Sequence, residues 1–132
     1  MDLEILKIAS NTENNKIINN YTHLSKHKNP ICGDEMSISL KIKKNKVYEF
    51  GYKCKSCVYC QASASLLSRK SINKSIISLK NLINIVESYC EDKKIIFPKE
   101  WSIFKKLFNQ KNLSRKECLK LPFKTLSKAL RV

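Results

Sequence analysis

Six cysteines, Cys32, Cys54, Cys57, Cys60, Cys90 and Cys118, stand in a chain of 132 residues. In a reducing compartment such thiols bind metals or carry sulfur rather than form a disulfide scaffold. Cys54, Cys57 and Cys60 form C-x-x-C-x-x-C, as in part of a ferredoxin ligand run, but Gln61 and Ala62 occupy the places of its further cysteine and proline. A helix beginning near Cys57 sets that thiol among unpaired N-terminal amides, which favour thiolate. Cys60 then falls one turn further on and Cys54 on the preceding strand, so Cys57 is the best-placed ligand of the three. In Cys32-Gly33-Asp34 the glycine allows a sharp turn, and side chains two apart in extended chain point the same way. A thiolate and a carboxylate can there meet one metal, or Asp34 can cap the turn. Cys118 heads the apolar stripe of the last segment and reads as a core cysteine or a third ligand. Cys90, at a charged helix end with no partner in sequence, reads as an incidental thiol. His23 and His27 read as exposed loop residues.

The elements that must position these groups follow from periodicity. Leu3, Ile5, Leu6 and Ile8 predict a short N-terminal helix before an asparagine-rich loop. Met36, Ile38, Leu40 and Ile42 alternate with polar residues and predict a half-buried strand. After the turn Lys44-Asn45-Lys46, residues 47–53 are rich in β-branched and aromatic side chains and pair back as a hairpin. Gln61 to Arg69 predicts a helix. Ile76, Leu79, Leu82, Ile83 and Val86 predict a second, and Trp101, Phe104, Leu107 and Phe108, after Pro98, a third. Leu119, Phe123, Leu126 and Leu130 predict the last, with Ser114 and Glu117 as a capping box and Pro122 as a kink or a later start. Strands first and helices afterwards give an α+β domain, a small antiparallel sheet with its hairpin at 36–53 packed against several helices, and the length suits one domain over 1–132.

Composition narrows the function. Gly33 and Gly51 are the only glycines, so neither phosphate-cradling loop pattern exists and nucleotide-dependent chemistry of those types is excluded. No apolar run reaches the roughly 18–20 residues of a membrane span, and residues 1–18 carry Asp2, Glu4 and Glu13 rather than a signal core, which assigns the protein to the cytoplasm. The net charge is +15, of which +4 falls in residues 1–66 and +11 in 67–132. Three arginines against 23 lysines suit bidentate base or phosphate recognition poorly, so no specific nucleic acid is expected.

Three motifs stand in order: Asn29-Pro30-Ile31-Cys32-Gly33-Asp34, the run Cys57 to Leu67 containing Ala62-Ser63-Ala64-Ser65, and Arg115-Lys116-Glu117-Cys118-Leu119-Lys120-Leu121-Pro122-Phe123. Together they resemble the IscU/NifU N-terminal family of iron–sulfur cluster assembly scaffolds. The separations of 25 and 61 residues between the three cysteines are similar to its SufU-like branch, as is Glu117 where IscU-type members carry histidine. The resemblance implies a SufE/NifU-like fold and a carrier rather than a turnover enzyme. It implies Cys32, Asp34, Cys57 and Cys118 as ligands for zinc or a transient [2Fe–2S] cluster, and Cys118 or Cys57 as acceptor of persulfide from a cysteine desulfurase. Apo iron–sulfur proteins would receive the product. The hard carboxylate of Asp34 would leave one corner of a soft thiolate site exchangeable. Arg115, about one turn before Cys118 if the capping box starts the helix, would hydrogen-bond the Asp34 carboxylate. Two other readings compete: a zinc-dependent sulfurtransferase of the same fold, and a zinc-stabilised basic nucleic-acid-binding module.

Overall fold

The computed structural model describes residues 2–30, 33–89 and 95–131. Its elements run α1 (Leu3–Ala9), β1 (His23–Lys28), β2 (Glu35–Lys43), β3 (Lys46–Lys55), α2 (Val58–Lys70), α3 (Ile76–Glu87), two 3-10 helices (Lys99–Lys106 and Gln110–Arg115) and α4 (Lys116–Ala129). The strands form an antiparallel sheet in the order β1-β2-β3. The hairpin forms where expected, and its two turn residues, Lys44 and Asn45, both take positive φ, the conformation whose twist suits a tight β-hairpin. Met36, Ile38 and Leu40 of β2 are buried, as are Phe50 and Tyr52 of β3, giving the sheet one apolar face. The helices α2 and α4 cover that face.

Helix α2 is the centre of the molecule. From Ala62 to Ser68 every residue is buried, because α2 lies between the sheet, α1 and α4. A helix buried all round needs side chains that are small or satisfied. Its serines comply: Ser63 donates to the Leu119 carbonyl, Ser65 to that of Asn11, and Ser68 to that of Ser65.

Three expectations need correction. His23 and His27 lie on β1 and are half-buried, not in a loop. The sequence His-Leu-Ser-Lys-His-Lys shows no apolar alternation because α4 holds the strand with polar contacts: Ser25 donates to the Thr125 carbonyl at 2.7 Å and Lys128 Nζ to the Lys26 carbonyl at 2.8 Å. The segment after Pro98 folds as a 3-10 helix, to which apolar residues at 101, 104 and 107 are as well spaced as to an α-helix. Ser114 falls inside the second 3-10 helix, so the capping box does not form; α4 starts at Lys116 with Arg115 at its cap position and no side-chain cap. The capping oxygen belongs instead to Asn109, which accepts from the Asn112 amide at 3.2 Å. Pro122 neither delays nor ends the helix but lies within it.

Candidate metal centre

Three elements deliver chemistry to one end of the sheet. Cys57 occupies the N-cap of α2, as the helix-start argument expects, with extended backbone and no side-chain cap bond, and its thiol lies against that of Cys118. Cys118 lies in the first turn of α4 and is buried, 7% exposed. Asp34 precedes β2 on a turn closed by two bonds, Gly33 amide to Asn29 carbonyl at 2.9 Å and Asn29 amide to Asp34 carbonyl at 2.8 Å. That turn needs φ of +76° at position 33, which glycine adopts without penalty.

The sulfurs of Cys57 and Cys118 and a carboxylate oxygen of Asp34 all lie within 4.8 Å of one another. Donors about 2.0–2.3 Å from a tetrahedral ion stand roughly 3.5–3.8 Å apart, so a small inward movement closes them on a metal. Asp34 Oδ2 is buried and has no hydrogen-bond partner among the described residues. An orphaned buried carboxylate oxygen is costly unless something cationic meets it. Burial, and then the Cys57 thiol and the Asp34 carboxylate beside it, push the Cys118 thiol well above the ordinary range. A cation among the three reverses that pressure. Two helix N-termini, those of α2 and α4, lend their amide dipoles to the same spot. Two soft thiolates with one hard carboxylate suit zinc or iron.

Cys54, on β3, and Cys60, one turn into α2, stand outside this group of three. Burial raises the thiol pKa of both, and the Ser56 hydroxyl partly offsets it in each. Cys32 and Cys90 lie outside the described residues. Arg115 is exposed, and its guanidinium lies over the Tyr59 ring, 5.6 Å from the centroid, rather than on the Asp34 carboxylate. Glu117 accepts from Lys124 Nζ at 3.1 Å and is not one of the three clustered donors.

Sequence reasoning passed over Ser63. Its hydroxyl, wholly buried, donates at 2.7 Å to the carbonyl of Leu119, the residue after Cys118. The bond ties the helix that begins at Cys57 to the turn that carries Cys118. Pro122 has no N–H, so the Cys118 carbonyl lacks its usual helical donor and α4 is locally weakened just where Ser63 braces it. The only signal in sequence is that hydroxyls recur in a run otherwise made of alanine and leucine.

The family model described as the NifU-like N terminal domain matches residues 2–92. The chain belongs to that family. It is also 27% identical over 127 residues to the iron–sulfur cluster assembly scaffold protein IscU of Thermotoga maritima, covering 96% of this chain and 89% of that protein. Among solved structures, FiSufU of Fervidobacterium islandicum AW-1 superposes with a TM-score of 0.89 at 22% identity, over 99% of this chain and 96% of that one. The N-terminal NifU-like protein of Brucella abortus does so with a TM-score of 0.89 at 19% identity, over 98% and 91%. The NifU-like α+β fold expected from the motifs is thus borne out. No helix among the described residues is long and apolar enough to cross a membrane.

Proposed function

We propose that this NifU-like domain is an iron–sulfur cluster assembly scaffold. It would accept persulfide sulfur from a cysteine desulfurase and hold a transient [2Fe–2S] cluster, or zinc, through Cys32, Asp34, Cys57 and Cys118. The observation that carries the reading is the meeting of Asp34, Cys57 and Cys118, from three distant parts of the chain, around a buried carboxylate oxygen without a partner. A nucleic-acid-binding finger draws its ligands from closely spaced pairs, which this group is not.

In sulfur transfer the acceptor thiolate attacks the outer sulfur of the donor's persulfide, the donor's S–S bond breaks, and the donor leaves as thiolate, so no external oxidant or reductant is consumed. Cys57 is half-buried and Cys118 buried, so access favours Cys57 as acceptor. The helix N-terminus at Cys57 stabilises the attacking thiolate. Asp34, on an open turn and chemically harder than the thiolates, is the ligand that lets go when cargo leaves. Arg115, stacked on Tyr59, brings a fixed positive charge to the same end of α2 and α4. The protein is a carrier, one domain over 1–132, working in the cytoplasm with the desulfurase and with apo iron–sulfur acceptors. The donor set suits a resident zinc equally, which is the sulfurtransferase reading.

Anaerobic incubation with ferrous iron, cysteine, a cysteine desulfurase and a dithiol reductant, which supplies the electrons that turn persulfide sulfur into sulfide, followed by absorption and Mössbauer spectra beside zinc analysis, tests this. A cluster spectrum in the native chain and none in Cys57→Ala supports the scaffold. Tight zinc with persulfide on Cys57 and no cluster supports the sulfurtransferase. Neither metal nor persulfide under any condition overturns both.

A further inference from the structure

The face of the sheet turned away from the helices carries a concavity of about 600 Å³ where the ends of β1, β2 and β3 lie side by side. Register sets its walls. Lys26, Ser37 and Lys53 form one cross-strand row, and Lys28, Glu35 and Lys55 form another two residues further along. Met36, in the row between, is buried on the helix side, so alternation turns both outer rows to solvent. Of these six residues four are lysines, all exposed, and one is acidic. Glu35 pairs with Lys28 at 3.5 Å, which leaves Lys26, Lys53 and Lys55 without an ion pair among the described residues.

We propose that this groove docks an extended acidic segment of a partner protein that works at the neighbouring metal centre. The two lysine rows lie about 7 Å apart along the strands, the same spacing as carboxylates at i and i+2 of an extended segment running alongside. The lysine stems supply apolar walls between the charges. The one aromatic ring among the described lining residues, His27, belongs to the Met36 row and faces Lys124 and Lys128 of α4, and no arginine lines the groove. It therefore offers its outer face no stacking platform and no bidentate phosphate fork, and an acidic polypeptide fits it better than a nucleic acid. Its position supplies the purpose: Asp34 immediately precedes Glu35, and Cys57 lies two residues past Lys55. A partner anchored here has its adjoining residues within reach of the thiols. The docking stands on the groove alone; its service to the metal centre rests on the function proposed above.

The test is fluorescence anisotropy at low salt with a labelled peptide alternating glutamate and threonine, set against its glutamine counterpart and a labelled oligothymidylate. The triple variant Lys26→Gln, Lys53→Gln, Lys55→Gln is compared with Lys80→Gln, Lys99→Gln, Lys105→Gln, which removes the same charge from exposed positions elsewhere. The expected result is that the groove triple weakens the acidic peptide about tenfold, the control triple less than about twofold, and the glutamine peptide binds neither. Equal weakening by both triples, no binding to the native chain, or tighter binding of oligothymidylate that the groove triple abolishes would each overturn the proposal. Zinc loading of the groove triple, read by chelator competition, should equal that of the native chain. A metal failure and a docking failure are therefore told apart.

Discussion

Cys57 and Cys118 reach the metal centre on the first turns of two helices braced against each other, with Ser63 bonded from one to the backbone of the other in a fully buried contact. Asp34 reaches the same point on a turn held by two backbone bonds around a glycine, and a Cβ at that glycine would meet no atom within 4 Å. The thiol wall is packed; the carboxylate wall is open. The difference teaches that holding and releasing can be assigned to different parts of one site. The soft candidate donors sit on packed elements suited to holding a metal, and the hard one sits where movement is cheap.

The largest effect expected from this contrast is at the thiols. Cys57→Ala and Cys118→Ala should each lower zinc affinity about 100-fold or more, measured by chelator competition, because a tetrahedral site loses a fixed anionic ligand. Asp34→Ala should instead retain metal and release a reconstituted cluster more slowly, followed by transfer to an apo ferredoxin. Equal loss in Asp34→Ala and Cys57→Ala would erase the distinction between the walls.

Next in size is the brace. Ser63→Ala removes that donor from the Leu119 carbonyl, which keeps its helical partner, and should cost about 0.5–1.5 kcal/mol in urea unfolding. It should also weaken metal binding about tenfold and alter the cobalt(II) absorption bands, which report thiolate geometry. Ser71 makes a comparable buried bond, to the Leu67 carbonyl at 2.6 Å, at the other end of α2. Ser71→Ala should lose similar stability and leave the cobalt spectrum untouched. If both variants move the spectrum alike, Ser63 is only a packing residue.

The pH response is smaller but has a definite sign. The buried Cys118 thiol has a raised pKa, so the metal-free fold keeps a proton that the unfolded chain gives up above about pH 8.5. This contribution is fully present below that pH and is lost as pH rises, so the melting temperature of the metal-free protein should fall in mild alkali. With zinc the trend reverses, because the ion displaces the proton: apparent affinity should rise about tenfold per pH unit for each proton released. Melting temperatures against pH, with and without zinc, should coincide in acid and diverge as pH rises. The smallest effect is at Gly33→Ala, where nothing clashes and only the left-handed backbone is penalised, by about 1–2 kcal/mol. Its zinc affinity should stay within about threefold of native, since the open wall can readjust.

How far these features were legible in the sequence differs by region, for physical reasons. The hairpin was readable because Met36, Ile38 and Leu40 must alternate to bury one face, and α2 because Gln61 to Arg69 runs through alanine, serine and leucine without glycine or proline. Strand β1 was not readable, since hydrogen bonds exchanged with α4 stabilise it rather than apolar burial, and such long-range bonds leave no periodicity. The segment around Trp101 was ambiguous because a three-residue spacing serves both helix types. At the site, residue types pointed to Cys57 and left Asp34 and Cys118 open until the three motifs were taken together, and their convergence depends on α4 returning to the sheet beside α2. Ser63 carried no chemical signal, because a serine hydroxyl gains its role only from the carbonyl that it meets.

The bond from Ser25 to the Thr125 carbonyl joins residues 100 apart in the chain. At about 5–20 residues per second of synthesis, the first partner waits roughly 5–20 s on the ribosome for the second. Through that interval β1 has no complete α4 to lie against, and for 61 residues of it Cys57 has been made without Cys118. A nascent chain therefore cannot assemble the two-thiol wall, and metal captured early would have to be held by an incomplete donor set. Maturation of the centre belongs to the last moments of translation or after it, when α4 closes over the sheet and fixes the strand and the second thiol in a single event.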